Sequence, residues 1–367
     1  MIRVLQVYPQ INNAGTERVI INLYENIDTS VIQFDFLVEK KGELDNKIKQ
    51  MGGKIYYLDE KNKFNYYKRL KLFFLKHPEY KIVHTHTHAR MGIVLKAAKN
   101  SKVPFRIAHS HNARNDLPKI ASFIKGCTSI PIEKSANYFF ACSQNAAAWL
   151  FPHKTKKCRI LYNGIKLDDY LYDVEKRNEK RKELNIETKD FVMINVGRFA
   201  KQKNHKYLVE IFNEYNKCHN SNWKAILVGD GPLQDDVKKQ VEDCGLLDHV
   251  IFLNNRNDVN ELLSAGDMFV FPSLHEGLGI VVIEAQASGL PCVVSNAVPE
   301  EADMEVGLLH TLKLEDEFAI WCTEIDTCKV SIEERNRYKN SILQGKYNIE
   351  KIASYMQNFY IGLEYNE

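Results

Sequence analysis

The sequence has no apolar run long enough to cross a membrane and no cysteine pair spaced for metal binding. A membrane-spanning helix needs about 18 consecutive apolar residues, and no stretch of this chain reaches that length. The eight cysteines are scattered, without a CxxC pair, which favours reduced, buried thiols. The opening residues, MIRVLQVYPQ, lead directly into a strand and lack the cleavage site of a signal peptide. We therefore predict a cytoplasmic protein.

Short-period repeats and low-complexity tracts are also missing, which excludes solenoid and disordered architectures. At 367 residues the chain is longer than one comfortable core, so two domains are expected. Apolar residues (44%) and charged residues (26%) are present in the proportions usual for a globular protein. We place the domains at residues 1–165 and 166–346.

Charge is divided unevenly between these halves. Residues 1–165 hold 27 Lys and Arg against 12 Asp and Glu, a net charge of +15, and the remaining residues carry −12. The basic half indicates an anionic partner such as a membrane surface, a phosphorylated acceptor or a nucleic acid. A solvated lysine-rich surface is the simpler alternative. No nucleic-acid recognition module is visible, so we expect no nucleic acid.

Short apolar runs alternate with helical patterns in both halves. The first strand is predicted at Ile2–Tyr8 and the first helix at Arg18–Ile27, and the same rhythm begins again at strand Phe191–Val196. A βαβα order predicts an α/β protein with two doubly wound parallel sheets. The charged stretch Asp173–Lys189 is poor in apolar residues and is predicted to link the domains. After Val294 we expect irregular residues and three helical segments.

The stretch Phe271–Gly289, FPSLHEGLGIVVIEAQASG, contains two glutamates, Glu276 and Glu284. Strands are predicted on either side of it, and two parallel strands this close need a crossover helix over Gly279–Ser288. The preceding loop then lies at the carboxyl end of a parallel strand, where ligands bind in open α/β sheets. The start of the helix offers free N–H groups at Gly279–Val281, which suit a phosphate.

A basic loop, GRFAKQKN at Gly197–Asn204, follows the first strand of the second half. Its glycine allows close approach of backbone to a ligand. Arg198 and Lys203 are expected at the same sheet edge as Glu276, where they would form a clamp for a pyrophosphate. Carboxylates this close to a pyrophosphate are better placed to accept hydrogen bonds from sugar hydroxyls than to act as general bases. An ordinary basic loop is the alternative.

Histidines recur at spacing two, as His84, His86 and His88 and as His109 and His111, which places each set on one face of a strand. Such pairs can bind zinc. A catalytic zinc site needs further ligands, and no motif in the sequence supplies them, so no metal is expected. Core histidines, or a single histidine facing a cleft at a strand end, are the other interpretations.

With these residues assembled, the chain resembles the retaining, nucleotide-sugar-dependent glycosyltransferases of the GT-B fold, family four. The motifs that carry the resemblance are HEGLGIVVIE at His275–Glu284, GRFAKQKN at Gly197–Asn204, VGDGPL at Val228–Leu233, FPS at Phe271–Ser273 and YNGI at Tyr162–Ile165. It covers nearly the whole chain and is closest to enzymes that build bacterial capsular or exopolysaccharide units. It implies two Rossmann-like domains facing a central cleft, the first for the acceptor and the second for the donor. A C-terminal helix, about residues 347–367, would pack back on the first domain.

The resemblance also implies roles for individual residues. Arg198 and Lys203 would neutralise the donor diphosphate, Glu276 would hold the donor sugar, and Glu284 would bind the ribose. His111 would contact the sugar near the scissile bond, with His109 as the alternative and Asn112 beside it. The donor site implied by the family consists of Gly15, Gly197, Arg198, Lys203, Gly229, Asp230, Gly231, His275, Glu276, Gly277, Leu278, Gly279, Ile280, Val281 and Glu284.

The implied partners are a nucleoside-diphosphate sugar, with UDP as the expected nucleotide, and a lipid-linked saccharide. The chain has no DxD motif, and the scheme needs neither a metal nor a resident cofactor. The helix predicted at Phe64–His77 mixes Lys68, Lys71 and Lys76 with aromatic residues. It is therefore expected to lie on an anionic membrane at the inner face of the cell.

Two other functions fit parts of the sequence. A regulatory protein that binds a nucleotide sugar would keep the clamp without catalysing transfer. An epimerase or a phosphorylase-like enzyme could share the two-sheet fold, and the second of these would need a lysine that carries pyridoxal phosphate.

Overall fold

The computed structural model describes residues 1–12, 15–58, 63–87, 90–111, 130–219 and 222–364. The chain divides into two compact units. The first unit consists of Met1–Ile165 with Asn348–Glu367, and the second consists of Lys166–Tyr347. Asn112 and His88, two residues considered above, lie outside the described residues.

The first unit is built on a seven-stranded parallel sheet in the order β3-β2-β1-β4-β5-β6-β7. Its strands are β1 (Ile2–Tyr8), β2 (Ile32–Val38), β3 (Ile55–Tyr57), β4 (Ile82–Thr85), β5 (Phe105–Ser110), β6 (Tyr138–Ala141) and β7 (Arg159–Ile160). Its helices begin with α1 (Gly15–Asn26), α2 (Asp45–Gln50), α3 (Lys63–Lys76), α4 (Met91–Asn100) and α5 (Gln144–Leu150). Residues 130–135 are also helical.

The second unit repeats this design with six parallel strands in the order β10-β9-β8-β11-β12-β13. These strands are β8 (Phe191–Val196), β9 (Trp223–Val228), β10 (Val250–Leu253), β11 (Met268–Phe271), β12 (Cys292–Ser295) and β13 (Leu309–Leu312). Its helices are α6 (Val174–Glu183), α7 (His205–Cys218), α8 (Gln234–Asp243), α9 (Val259–Ala265), α10 (Ile280–Ala287), α11 (Phe318–Thr327), α12 (Ile332–Arg335) and α13 (Lys339–Gln344). Strand order reverses between β8 and β11, as it does between β1 and β4, which confirms the predicted pair of doubly wound α/β sheets.

The last helix, α14 (Ile349–Glu364), belongs to the first unit. Its buried face includes Met356 and Tyr360, which join the same apolar core as α1 and the strands β1 and β2. The Tyr360 hydroxyl lies 2.7 Å from Nδ1 of His84 on β4. Helix α14 therefore completes the core to which β1, β2 and α1 contribute.

The charged stretch Asp173–Lys189 was expected to be a linker, and this prediction is wrong. Most of it forms α6, which starts at an Asp173 N-cap and packs on α9 within the second unit. Arg177 and Arg181 are buried, and each donates to one oxygen of the Asp267 carboxylate at 2.6 Å. Arg177 also donates to the last carbonyls of α9. Helix α6 is as rich in charged residues as a linker, but it is part of the folded second unit because its arginines are buried and paired.

Three smaller predictions also need correction: the start of α1, the absence of a strand after Val294 and the number of helices there. Helix α1 begins at Gly15 and not at Arg18, so the turn after β1 is shorter than expected. The described residues after Val294 include the strand β13, and they form four helices where three were expected. Strand β13 is short, only partly buried and contains His310 and Thr311, so its apolar pattern is weak.

Helix α3 forms where a basic, aromatic helix was expected, but three of its aromatic residues do not face outward. Tyr66, Phe73 and Phe74 are buried in a core shared with α4 and β4. Among the side chains of α3 that the structure describes, Leu72 and Leu75 are exposed and apolar. The predicted membrane face is therefore wrong for Tyr66, Phe73 and Phe74, because these rings supply the packing of the helix onto the sheet.

We expect Met356→Ala to destabilise the first unit by about 2–5 kcal/mol, because it leaves a cavity in a fully buried part of the core. Hydrogen exchange measured by mass spectrometry separates the two units, and the loss of protection should be confined to the first. Tyr355→Ala, on the exposed side of the same helix, is the control and should change stability by less than about 0.5 kcal/mol. Equal effects of the two substitutions would contradict this account of α14.

Candidate functional site

Three loops of the second unit meet at one edge of its sheet. Strand β8 lies between β9 and β11, and all three run parallel, so the loops that follow them leave from the same side. The loops cover residues 197–204, 229–233 and 272–279. The order of the sheet reverses between β8 and β11, and ligands of doubly wound sheets bind at such a point.

The first two loops are held together by glycines that allow no side chain. A Cβ on Gly229 would lie 2.3 Å from the carbonyl oxygen of Gly197, and one on Gly231 would lie 2.5 Å from that of Phe199. Both glycines also have positive φ angles, +137° and +151°. The Phe199 N–H donates to the Asp230 carbonyl at 2.8 Å. The GDG sequence is thus needed for close contact between backbones.

Lys203 and Glu276 form an ion pair between the loops after β8 and β11. The ammonium Nζ lies 2.7 Å from the carboxylate Oε1, and both side chains are largely buried. The ammonium also lies over the Phe271 ring, 4.5 Å from its centroid. Both residues were expected at one sheet edge, but no motif indicated that they bind each other.

Two polar residues that sequence analysis assigned no role hold this pair in position. The Ser273 hydroxyl lies 2.5 Å from Glu276 Oε1. The Gln202 side-chain amide donates to the His275 carbonyl at 2.8 Å, and the Gln202 backbone carbonyl accepts from the Leu274 N–H. Both residues belong to motifs noted in the sequence, FPS and GRFAKQKN, and this was the only available indication of their importance.

Helix α10 begins directly after the Glu276 loop. Gly279 precedes it with a φ of +75°, and Ile280 and Val281 form its first turn. The first amide N–H groups of a helix have no acceptor within it and favour an anion. Glu284 lies one turn further along and accepts a hydrogen bond from the Tyr170 hydroxyl at 2.8 Å. Tyr170 comes from a turn at Leu167–Tyr170, far away in the sequence, and no pattern indicated it.

The remaining predicted donor residues lie on the same loops with different exposure. Arg198 and Asp230 are exposed, and an Asn255 side-chain amide donates to Asp230 at 2.5 Å. His275 and Gly277 are partly exposed, whereas Leu278 is buried. The fold thus gathers all the donor residues predicted in the second unit around β8, β9 and β11.

His205 is a further residue of this region that sequence analysis missed. It is the first residue of α7, is buried, and stacks on Phe199 with 4.1 Å between ring centroids. Burial, together with the nearby charge of Lys203, lowers the pKa of His205 to about 4. It therefore supports the Phe199 loop as a neutral ring.

The predicted residues of the first unit cluster separately from these. His109 on β5 and His111 after it are both buried, with ring centroids 4.0 Å apart. His111 Nε2 lies 2.7 Å from Nδ1 of His86. Burial holds the pKa of His109 well below its usual range. Gly15 is the first residue of α1.

The second unit therefore offers two cations and a helix N-terminus beside two carboxylates. Arg198, Lys203 and the first turn of α10 supply positive charge and N–H donors for a diphosphate. Glu276 and Glu284 supply acceptors for hydroxyl groups. This combination suits a ligand with an anionic centre and neutral, hydroxyl-rich ends.

Comparison with known proteins agrees with this description. The family model for "Glycosyl transferases group 1" matches residues 176–306. Putative glycosyltransferase EpsF of Bacillus subtilis is 29% identical over 98% of this chain and 96% of its own length. The UDP-Gal:alpha-D-GlcNAc-diphosphoundecaprenol alpha-1,3-galactosyltransferase of Escherichia coli is 31% identical over 80% of this chain and 78% of its own. The crystal structure of Anabaena Alr3699/HepE with UDP is similar with a TM-score of 0.82 and 17% identity, covering 99% of this chain and all of that one.

These likenesses identify both the fold and the family of the chain. Two parallel-sheet α/β units that match such a structure over their full length have the GT-B fold. The chain belongs to the group 1 glycosyltransferases, which are GT-B enzymes of family four. Its enzymatic class, glycosyltransferase, agrees with the expectation from the sequence.

We expect Gly229→Ala to destabilise the second unit by at least about 2 kcal/mol, because the new Cβ would meet backbone and the φ angle is strained. Urea denaturation followed by circular dichroism measures the change. The control is Gly245→Ala, where φ is +69° but nothing lies within 4 Å of the added carbon. The control should lower the free energy of unfolding by only about 1 kcal/mol, which is the strain of the positive φ angle. Equal losses in the two variants would show that close backbone contact is unimportant.

Proposed function

We propose that this glycosyltransferase moves a hexose-type sugar from a nucleoside-diphosphate sugar, with UDP as the nucleotide, to a lipid-linked saccharide. The observation that carries the proposal is the Lys203–Glu276 pair beside the N-terminus of α10, at the reversal point of the sheet. Surface polysaccharide synthesis is the process in which we place the reaction. The donor is a substrate, so the proposal includes no resident cofactor.

Charge development on the leaving group explains why these residues suit the reaction. The bond between the anomeric carbon and the diphosphate breaks as the carbon becomes more positive and the diphosphate more negative. Arg198, Lys203 and the first N–H groups of α10 would stabilise the growing negative charge. Lys203 and the helix N–H groups are held in position, so they need little reorganisation when the bond breaks.

The two glutamates have separate proposed tasks. Glu276 lies in the loop next to Lys203 and would accept hydrogen bonds from the sugar hydroxyls. Glu284 lies one turn along α10, next to Tyr170, and would accept from the ribose. In the first unit, His111 is proposed to contact the sugar from the acceptor side, with His109 as the alternative. Retention of the anomeric configuration is part of the proposal and rests on the family resemblance.

The choice of UDP and of a lipid-linked acceptor is supported by relatives. The Escherichia coli relative is named for UDP-Gal and for a diphosphoundecaprenol-linked acceptor. The Anabaena structure contains UDP. Both are properties of those proteins, and we extend them to this chain as a proposal.

An acceptor with a lipid anchor would have to be met at a membrane surface. Among the described residues, no helix is both long and apolar enough to span a bilayer. Leu72 and Leu75 on α3 are 56% and 62% exposed, and Lys68 and Lys76 are exposed on the same helix. Exposed leucines beside lysines suit peripheral contact with anionic lipid, so we propose this part of α3 as the contact.

In a thermal-shift panel of UDP-, GDP- and ADP-sugars, we expect a UDP-sugar to stabilise the protein most. Lys203→Ala should remove most of this shift and lower kcat/KM for transfer by about 10²–10³-fold, because a donor to the leaving group is lost. The matched control is Lys201→Ala, since Lys201 is an exposed lysine in the same turn. The control should behave like the wild type. Near-wild-type turnover by Lys203→Ala would overturn the proposed site, and the anomeric configuration of the product tests retention.

We expect the wild-type protein to float with vesicles that contain phosphatidylglycerol at low salt and to be released at high salt. The double variant Leu72→Asp and Leu75→Asp should lose most of this binding without unfolding, since both side chains are exposed. Leu247→Asp is the control, because Leu247 is equally exposed in the second unit. Failure of the wild type to bind, or equal binding by the α3 variant, would contradict the proposed contact.

A further inference from the structure

Four histidine rings are packed together in the core of the first unit. His84 and His86 come from β4 and the residue after its end, and His109 and His111 come from β5 and the residue after it. The two strands are parallel, with Thr85 opposite Ala108, and the continuation of this register places His86 level with His109. Strand pairing thus brings together two HxH pairs whose relation the sequence does not reveal.

Three of these rings bring ring nitrogens close enough together to share a metal ion. His84, His86 and His109 each offer one ring nitrogen, and the three nitrogens lie within 4.8 Å of one another. Ligand nitrogens of tetrahedral zinc lie about 3.3 Å apart, given Zn–N bonds of about 2.0–2.1 Å. The rings of His84 and His109 are stacked, with 5.3 Å between centroids, so metal binding would require these rings to turn. All three residues are at most 4% exposed.

Two of the rings have nitrogens that the protein leaves unsatisfied. His84 Nε2 and both ring nitrogens of His109 are buried without a hydrogen-bond partner among the described residues. A buried, unpaired polar atom costs about 1–3 kcal/mol. A metal ion would bind the lone pairs of those ring nitrogens that accept no hydrogen bond. It would therefore remove part of the cost of burying them.

The surrounding hydrogen bonds are compatible with the ring tautomers that a metal needs. His84 Nδ1 lies 2.7 Å from the Tyr360 hydroxyl, which can accept from an Nδ1–H group, and that tautomer has its lone pair on Nε2. His86 Nε2 lies 2.9 Å from Gln6 Oε1, an acceptor, which leaves the lone pair on Nδ1. Partners of this kind orient the ligands of natural metal sites.

A small cavity of about 20 Å³ adjoins the same histidines. Its lining includes Tyr8, Leu161 and Tyr162 as well as the four rings. This volume is enough for about one water molecule or one small ion. His205 in the second unit provides the contrast, because it is equally buried and unsatisfied but belongs to no such group among the described residues.

We propose that His84, His86 and His109 form a binding site for a divalent transition-metal ion of the zinc type. An all-imidazole ligand set suits zinc, copper, nickel or iron and not magnesium or calcium. Tyr360 and Gln6 position the ligands and do not themselves bind the ion. Coordination through His86 Nδ1 would replace its contact with His111 Nε2, so metal binding would remove one hydrogen bond from the ring proposed to contact the sugar.

The test uses the full, untagged chain after removal of metals by a chelator. Isothermal titration with Zn²⁺ should give about one ion per chain, and Co²⁺ should give the visible absorption of a bound ion. Mg²⁺ should give neither. His109→Gln should abolish binding, and Tyr360→Phe should weaken it by about 10–100-fold, as for other residues that orient metal ligands. His205→Gln is the control and should bind like the wild type.

No activity is measured, so the result does not depend on the proposed reaction. Absence of Zn²⁺ binding by the wild type, or unchanged binding by His109→Gln, would overturn the metal site. If circular dichroism shows that His109→Gln does not fold, Tyr360→Phe decides. Weakened binding in that folded variant then supports the site, and unchanged binding overturns it.

Discussion

Parallel pairing of neighbouring strands is the constraint on which both units depend. A parallel strand must be followed by a crossover, so every loop that leaves its carboxyl end lies at one edge of the sheet. In the second unit this places the loops after β8, β9 and β11 together. In the first unit it aligns the ends of β4 and β5. One rule of backbone geometry thus assembles a charged site in one unit and a histidine cluster in the other.

The Lys203–Glu276 pair keeps the proposed donor site ordered in the absence of a ligand. Two opposite charges with little exposure hold each other's side chains in one geometry, and Ser273 restricts the carboxylate further. In the proposed reaction, a diphosphate sugar would offer an anion to the lysine and hydroxyls to the glutamate, so it would compete for both partners at once. A ligand with only one of these groups would leave the other member of the pair with a weakened partner. On this proposal, the pair would favour nucleotide sugars over simple phosphates.

All the strands except β13, the two sheets and the common edge of Lys203 and Glu276 could be predicted, because apolar runs and glycines at strand ends are visible in short stretches of sequence. The burial of Arg177 and Arg181 could not be predicted, since it depends on carbonyls and on Asp267, about ninety residues away. The contact of Tyr170 with Glu284 depends in the same way on distant parts of the chain. The spacing within each HxH pair was visible in the sequence. The strand register that brings His84 and His109 together was not. Local chemistry was readable in the sequence, whereas long-range partners required the fold.

The return of α14 to the first unit has a consequence for the order of folding. Domains of a growing chain generally fold as they emerge from the ribosome, the N-terminal one first. Here the first unit lacks the buried face of Met356 and Tyr360 until α14 has been made, whereas Lys166–Tyr347 is complete before α14. The second unit can therefore reach its native state before the first during synthesis. A ribosome paused before the α14 codons would hold a chain whose first unit still has an open core.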